Sequence, residues 1–288
     1  MIFLENEYIQ ASFANKGAEL QSLKGKKGNV DYLWNGDPDY WGKFSPVLFP
    51  IVGALKDNTY YYEDQAYELT RHGFARDKDF EANQLSPTEV VFTLTHSEET
   101  LKIYPFQFSL QLRYRLSAST FSCTYEVFNP AGSQLLFSIG AHPAFATSVQ
   151  KDIRYTDYFL QFNKDSALTY HKISHDLIDN ETATIELEDQ KLSLKHELFY
   201  DDALVLKSLK SDCISIRNDK TPHGIHFRFQ GFPFFGIWAA KNADFVCMEP
   251  WCGIADGVDH SQNLKDKEGI VSLAANESWN RTWEVECF

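Results

Sequence analysis

A chain of 288 residues with a formal charge of -13 and an isoelectric point near 5.1 lacks the broad positive field that draws proteins onto phosphate backbones or anionic lipid. Nucleic acid and membrane surfaces are therefore not expected partners. Hydrophobic residues make up 43% and aromatics 15% of the chain, with Phe and Tyr foremost, a bias towards pleated, half-buried surfaces.

The segment Met1 to Tyr8 carries neither the basic run nor the apolar stretch that directs export. The most apolar stretch, residues 46–55, is too short to span a bilayer and holds two prolines and a glycine. Five cysteines without a CxxC pair read as reduced thiols of a cytoplasmic protein, packed as small hydrophobes.

In chain order, residues 2–23 fit two short strands about a turn at Asn15-Lys16-Gly17. Tyr32 to Trp34 is a brief strand stopped by Asn35-Gly36-Asp37-Pro38. Residues 40–55 mix aromatics and prolines with no helical or strand period, which suits a rigid wall beside a cleft as well as an irregular core segment. A hairpin, Thr59 to Tyr62 and Ala66 to Thr70, delivers Arg71-His72-Gly73-Phe74-Ala75-Arg76-Asp77. Two guanidinium forks and an imidazole beside a glycine suit a loop that holds hydroxyls or a carboxylate, or equally a solvated turn.

Strand signals then crowd together. Glu89 to His96 and Ser109 to Leu116 alternate, and Thr120 to Phe128 continues them as a meander with one wet face. Residues 153–194 mix short strands with polar turns, and residues 195–203, which include Asp201 and Asp202, fit a single helical turn or a loop. Five short strands between Leu204 and Met248 and an alternating terminal strand, Trp279 to Phe288, complete the chain. With no repeat and no long periodic helix, the expectation is all-β: one large antiparallel β-sandwich over residues 1–288, with few short helices.

Two stretches carry chemistry. In Phe137-Ser-Ile-Gly-Ala-His-Pro-Ala-Phe145, Gly140 opens unusual dihedrals and Pro143 pushes His142 towards an extended conformation, so an imidazole that titrates near neutrality is held in place. In Phe245-Val-Cys-Met-Glu-Pro-Trp-Cys-Gly253, Glu249 is expected at a strand end where Pro250 stops pairing, next to the flat face of Trp251. A carboxylate beside an indole suits a sugar, whose C–H face stacks while a hydroxyl donates. His142 and Glu249 thus form a candidate acid and base, expected to face each other across a gap one pyranose wide. Such a pair is enough to open and reclose a cyclic hemiacetal without metal or cofactor. A metal set from His72, His142 and Glu249, or from His223 and His226, is not expected, because no HxH or HExxH spacing occurs.

Arg71-His72-Gly73-Phe74-Ala75-Arg76, Gly140-Ala-His-Pro-Ala-Phe145, Asp201-Asp202-Ala-Leu-Val and Glu249-Pro-Trp-Cys-Gly253 together resemble the aldose 1-epimerase (galactose mutarotase) superfamily in its LacX-like branch, in order and over nearly the whole chain. The resemblance implies a β-supersandwich that interconverts the α and β anomers of a sugar. It implies His142 as the acid at the ring oxygen and Glu249 as the base at the anomeric hydroxyl, with His72 and Arg76 on the substrate and Asp202 favoured over Asp201 as the binding aspartate. Arg71 and Trp251 complete the expected substrate contacts. Ala54 departs from the pattern, since relatives often carry an arginine after the glycine of the Val52-Gly53 segment. The expected partner is a small sugar, bound by a monomer or a homodimer. A non-catalytic carbohydrate-binding sandwich and a hexose-6-phosphate 1-epimerase are the alternatives.

Overall fold

The computed structural model describes residues 1–147 and 152–288. Alternation sets its architecture. Along Ser109–Ser117 and Thr120–Phe128 every second side chain is buried. Antiparallel register, Leu110 opposite Val127 through Leu116 opposite Phe121, collects those side chains on one face. Glu89–Thr95 and Glu81–Ser86 extend this ribbon on one side and Ser278–Cys287 on the other, within a nine-stranded sheet.

An eight-stranded sheet covers the apolar face. Its central path runs from Leu204–Leu206 through Phe234–Trp238 and Phe245–Cys252 to Ile139–Ala141. The layers interlock through aromatic rings: Phe145 packs on Phe227 with centroids 5.6 Å apart, and Phe229 on Phe235 at 4.3 Å. The Tyr125 hydroxyl, held by Trp283 Nε1–H at 3.1 Å, reaches the Gly140 carbonyl at 3.4 Å. One face of the eight-stranded sheet is thereby used up as core, and the other is free to carry a site.

Three local expectations change. The amino-terminal region forms three strands, Ile2–Glu5, Ile9–Phe13 and Leu20–Gly25, rather than two. The next strand is Val30–Asp31, and Leu33 makes only an isolated bridge to Phe145. A helix, Glu98–Ile103, was not anticipated, because six residues are too few for a period to show; Ser97 caps it by accepting the Thr100 N–H, while Thr100 Oγ1 accepts the Ser97 N–H. Residues 195–203 do contain a short turn, the 3-10 segment His196–Phe199.

Pro250 does not stop its strand. Phe245–Cys252 runs through it, with Phe235 opposite Pro250. On the far side, Ala144–Ala146 pairs with residues 245–247 and Ile139–Gly140 with residues 251–252, so the neighbour changes at His142-Pro143. Between those two ladders only the Met248 N–H reaches across, to the Pro143 carbonyl. A missing N–H costs little at that break, which is how a proline fits a central strand. Glu249 is consequently a mid-strand residue, and all eight residues of its strand are buried.

A buried ion pair braces the loop that follows. Asp256 and Lys267 are each 2% exposed and meet at 2.7 Å. The second Asp256 oxygen accepts the Lys56 N–H at 3.0 Å, its N–H donates to the Ala54 carbonyl, and its carbonyl accepts the Ile178 N–H. Residues 54–56, Ile178 and Lys267 are therefore tied to one residue, Asp256. Replacing Lys267 by Met leaves that carboxylate buried without its cation and is expected to lower unfolding stability by about 3–5 kcal/mol in denaturant titration. Adding Asp256→Asn in the double variant is expected to restore part of the loss.

Candidate active site

The free face of the eight-stranded sheet bears a cavity of about 520 Å³, within the roughly 300–1,000 Å³ usual for small-molecule sites. Its floor follows from glycine placement. Trp251 lies opposite Gly140, and a Cβ on Gly140 would come within 2.5 Å of the indole. Gly236, on the other neighbouring strand, would place a Cβ 2.4 Å from the far edge of the same ring. The indole lies flat across its neighbours because neither flank has a side chain.

Glu249 shares this face, two residues before Trp251, and is 2% exposed. Its Oε2 lies 3.3 Å from His142 Nε2, in the gap between the two ladders described above. The pair therefore sits side by side at the buried end of the cavity, instead of facing across a sugar-wide gap. The change of ladder partner at His142-Pro143 explains the arrangement, because it lets the imidazole stand beside the strand that carries Glu249.

Burial dominates the proton affinities here. It drives the His142 pKa down to about 3, aided by the Arg71 and Arg76 guanidinium groups. It pushes Glu249 well above the usual carboxylate range, against the pull of Arg71 and the Trp251 N–H and with help from the nearby Asp202 carboxylate. Burial thus disfavours the charged form of each group, and the two stand within reach of one shared proton. Trp41, which sequence reading did not single out within its aromatic stretch, stacks on the imidazole at 5.0 Å and 24°, and Trp238 meets it edge-on at 5.8 Å.

His72 is locked by its backbone. It adopts φ 69° and Gly53 φ 70°, and the two residues grip each other: the His72 N–H donates to the Gly53 carbonyl at 2.9 Å, and the Gly53 N–H donates to His72 Nδ1 at 3.1 Å. A positive φ on a histidine persists only where neighbouring bonds enforce it. Burial, then the nearby His142, Arg71 and Arg76, keep the His72 pKa well below its ordinary value, so the ring is neutral. With Nδ1 accepting, its proton is on Nε2. Arg71 Nε lies 3.3 Å from that nitrogen, a contact rather than a hydrogen bond, because a neutral ring cannot accept at both nitrogens.

The remaining expected residues line the same cavity: Arg71, Arg76, Asp202 and Asp201. Of the two aspartates, Asp202 is the one whose charge reaches Glu249, and its Oδ1 accepts the Ala203 N–H at 2.7 Å. Arg76 donates to the Arg71 carbonyl at 2.9 Å. Asp176, in the turn between Ala167–Ser174 and Leu177–Glu186, pairs with Arg71 at 2.7 Å; only tertiary structure brings it there. Ala54 is buried and off the cavity surface, where Gly53 and Ala255 stand instead. His223 and His226 lie elsewhere, with His226 bonded to Ser215 at 2.7 Å.

Known proteins match this chain from end to end. The profile of the family described as aldose 1-epimerase matches residues 1–286. This chain belongs to the aldose 1-epimerase family. It is 31% identical to Protein LacX (plasmid) of Lactococcus lactis subsp. lactis, over 99% of this chain and 98% of that protein. A galactose mutarotase related enzyme from Lactobacillus acidophilus superposes with a TM-score of 0.95 at 30% identity, covering 100% of this chain and 97% of the other. A galactose mutarotase-like protein from Lactobacillus casei ATCC 334 gives 0.92 at 30% identity with both chains covered completely. The fold of this aldose 1-epimerase family member is accordingly the galactose mutarotase-like β-sandwich. Among the described residues no helix is long and apolar enough to cross a membrane.

The buried histidines carry a pH signature. In the unfolded chain His142 protonates near 6.5, whereas in the fold it stays neutral down to about 3. The unfolded state therefore takes up the proton first, and the stability associated with His142, complete above 6.5, is lost as pH falls from 6.5 towards 3. His72 adds to this slope, and Glu249, with a raised pKa, opposes it. The decline in thermal midpoint on acidification from pH 7 to pH 5 is expected to be smaller in His142→Gln than in the parent protein.

Proposed function

We propose that the protein is an aldose 1-epimerase, a mutarotase acting on a neutral aldose, with His142 and Glu249 as its acid and base. The observation that carries this reading is the 3.3 Å approach of His142 Nε2 to Glu249 Oε2 beside the Trp251 floor. Moving the shared proton from carboxyl to imidazole readies the pair: imidazolium for the ring oxygen, carboxylate for the anomeric hydroxyl. Arg71 and the Trp251 N–H favour the carboxylate, and the stacked Trp41 indole favours the cationic ring.

The cycle then needs only proton traffic. Glu249 takes the anomeric hydroxyl proton as the C1–O5 bond breaks, and His142 protonates O5. Rotation about C1–C2 presents the other face of the aldehyde. On closure His142 removes the O5 proton and Glu249 returns one to O1, so pair and sugar end as they began. The Trp251 face supports the sugar ring by stacking, and His72 Nε2–H and Asp202 supply a hydroxyl donor and acceptor.

Neutral sugar is favoured over a 6-phosphate by charge balance at the mouth. Arg71 is already paired with Asp176 at 2.7 Å, Arg76 lies 3.7 Å from Asp77, and Asp201 and Asp202 add negative charge. A phosphate dianion would meet few uncommitted cations there.

Polarimetry or NMR on freshly dissolved α-anomers tests both parts. Anomerisation of one or more free aldoses faster than in buffer is expected, with 6-phosphates slower. Glu249→Gln and His142→Asn are each expected to lower the rate by about 10²–10⁴-fold while sugar binding, followed by titration calorimetry, persists. Sugar binding by the parent protein with no anomerisation faster than in buffer would instead favour a carbohydrate-binding protein without catalysis.

A further inference from the structure

We propose that Cys247, His142 and Glu249 together form a site for a thiophilic divalent cation, Zn²⁺ by chemistry, and that its occupation shuts off the acid and base pair. The inhibitory half rests on the mutarotase reading; the cation site does not.

Strand geometry brings the three donors together. Cys247 and Glu249 are two residues apart on Phe245–Cys252 and so project from the same face, with Trp251 next along it. Ala144 pairs with Cys247 and Gly140 with Trp251, which places His142 between those rungs. A sulfur, a ring nitrogen and a carboxylate oxygen from the three residues all lie within 4.8 Å of one another, and all three residues are buried. The 3.3 Å spacing of His142 Nε2 and Glu249 Oε2 matches two ligands each about 2.0–2.1 Å from one tetrahedral ion. His142 Nδ1 is itself buried and without a hydrogen-bond partner among the described residues.

The donor set selects the cation. One thiolate, one imidazole and one carboxylate suit zinc and reject magnesium or calcium, which take oxygen ligands. Three protein ligands leave a fourth position open, and it faces the cavity, because His142 and Glu249 line the cavity while Cys247 stands behind them. Charge also closes: Zn²⁺ displaces the Cys247 thiol proton and the proton held by the pair, so a dication meets two anions and a neutral imidazole, and two protons leave to solvent. Arg71 and Arg76, the nearby cations, are countered by Asp176 and Asp77. With its lone pairs on a metal, neither His142 nor Glu249 can carry a proton to or from the sugar.

Co²⁺ reports the thiolate without turnover. Titrating tag-free full-length protein with Co²⁺ is expected to load one ion per chain and raise a near-ultraviolet thiolate-to-cobalt band, which Zn²⁺ displaces and EDTA abolishes. Cys247→Ala, with Cys247→Ser as the better-packed second variant, is expected to lose the band and weaken Zn²⁺ binding by more than about tenfold. In parallel, Zn²⁺ is expected to inhibit anomerisation competitively with the sugar, and each Cys247 variant, relative to its own metal-free rate, to need more than about tenfold more Zn²⁺. Co²⁺ binding without a thiolate band, or equal Zn²⁺ sensitivity in both folded variants and the parent, would overturn the site. A band in a protein that anomerises no sugar would leave the site standing and remove the mutarotase reading.

Discussion

The withdrawal of Glu249 from water governs this molecule. A carboxyl group at 2% exposure, central in a strand whose eight residues are all buried, cannot ionise cheaply unless something beside it accepts the proton. His142 is that acceptor, and it is equally reluctant to carry charge alone. On the proposed reading each group makes the other's ionisation tolerable, and one proton passes between them. The sandwich supplies what this requires: a second sheet to seal the back, and a change of ladder partner at His142-Pro143 that lets an imidazole stand next to a strand residue.

The surroundings answer the same demand. Trp41 and Trp238 close around the imidazole, Trp251 lies flat because Gly140 and Gly236 offer nothing to lift it, and His72 is fixed in one tautomer by its exchange with Gly53. These contacts surround the pair with oriented groups, the kind of setting that lowers the reorganisation accompanying a proton transfer. The brace at Asp256 and Lys267 holds the opposite wall by the same means, with a buried charge satisfied on every side.

Much of the architecture was legible in the chain. Alternation from Ser109 to Phe128 fixes one face of a sheet, and its bounds are read almost to the residue. Gly140, Pro143 and the Glu-Pro-Trp run mark the stretches that meet at the cavity, because backbone restriction and chemistry coincide there. The strand end expected at Pro250 was misplaced, since whether a proline breaks a ladder depends on what lies beside it. The 3.3 Å spacing of His142 and Glu249, against the sugar-wide gap expected, was not legible either, because it depends on the change of ladder partner at His142-Pro143. Trp41, Asp176 and the Asp256–Lys267 pair leave no local trace: each acquires its role from a segment distant in sequence, and no period or spacing encodes that.

The division between sheet and rim has a consequence for how such a protein diversifies. His142 and Glu249 stand on strands and their immediate junction, whereas the mouth is made from the 71–76 loop, the turn at Asp176 and the 199–203 segment. Turns tolerate insertion and exchange far better than buried strands. On the proposed reading, hydroxyl preference and anomeric chemistry are therefore separately heritable, and one scaffold can drift among sugars while its proton path stays still.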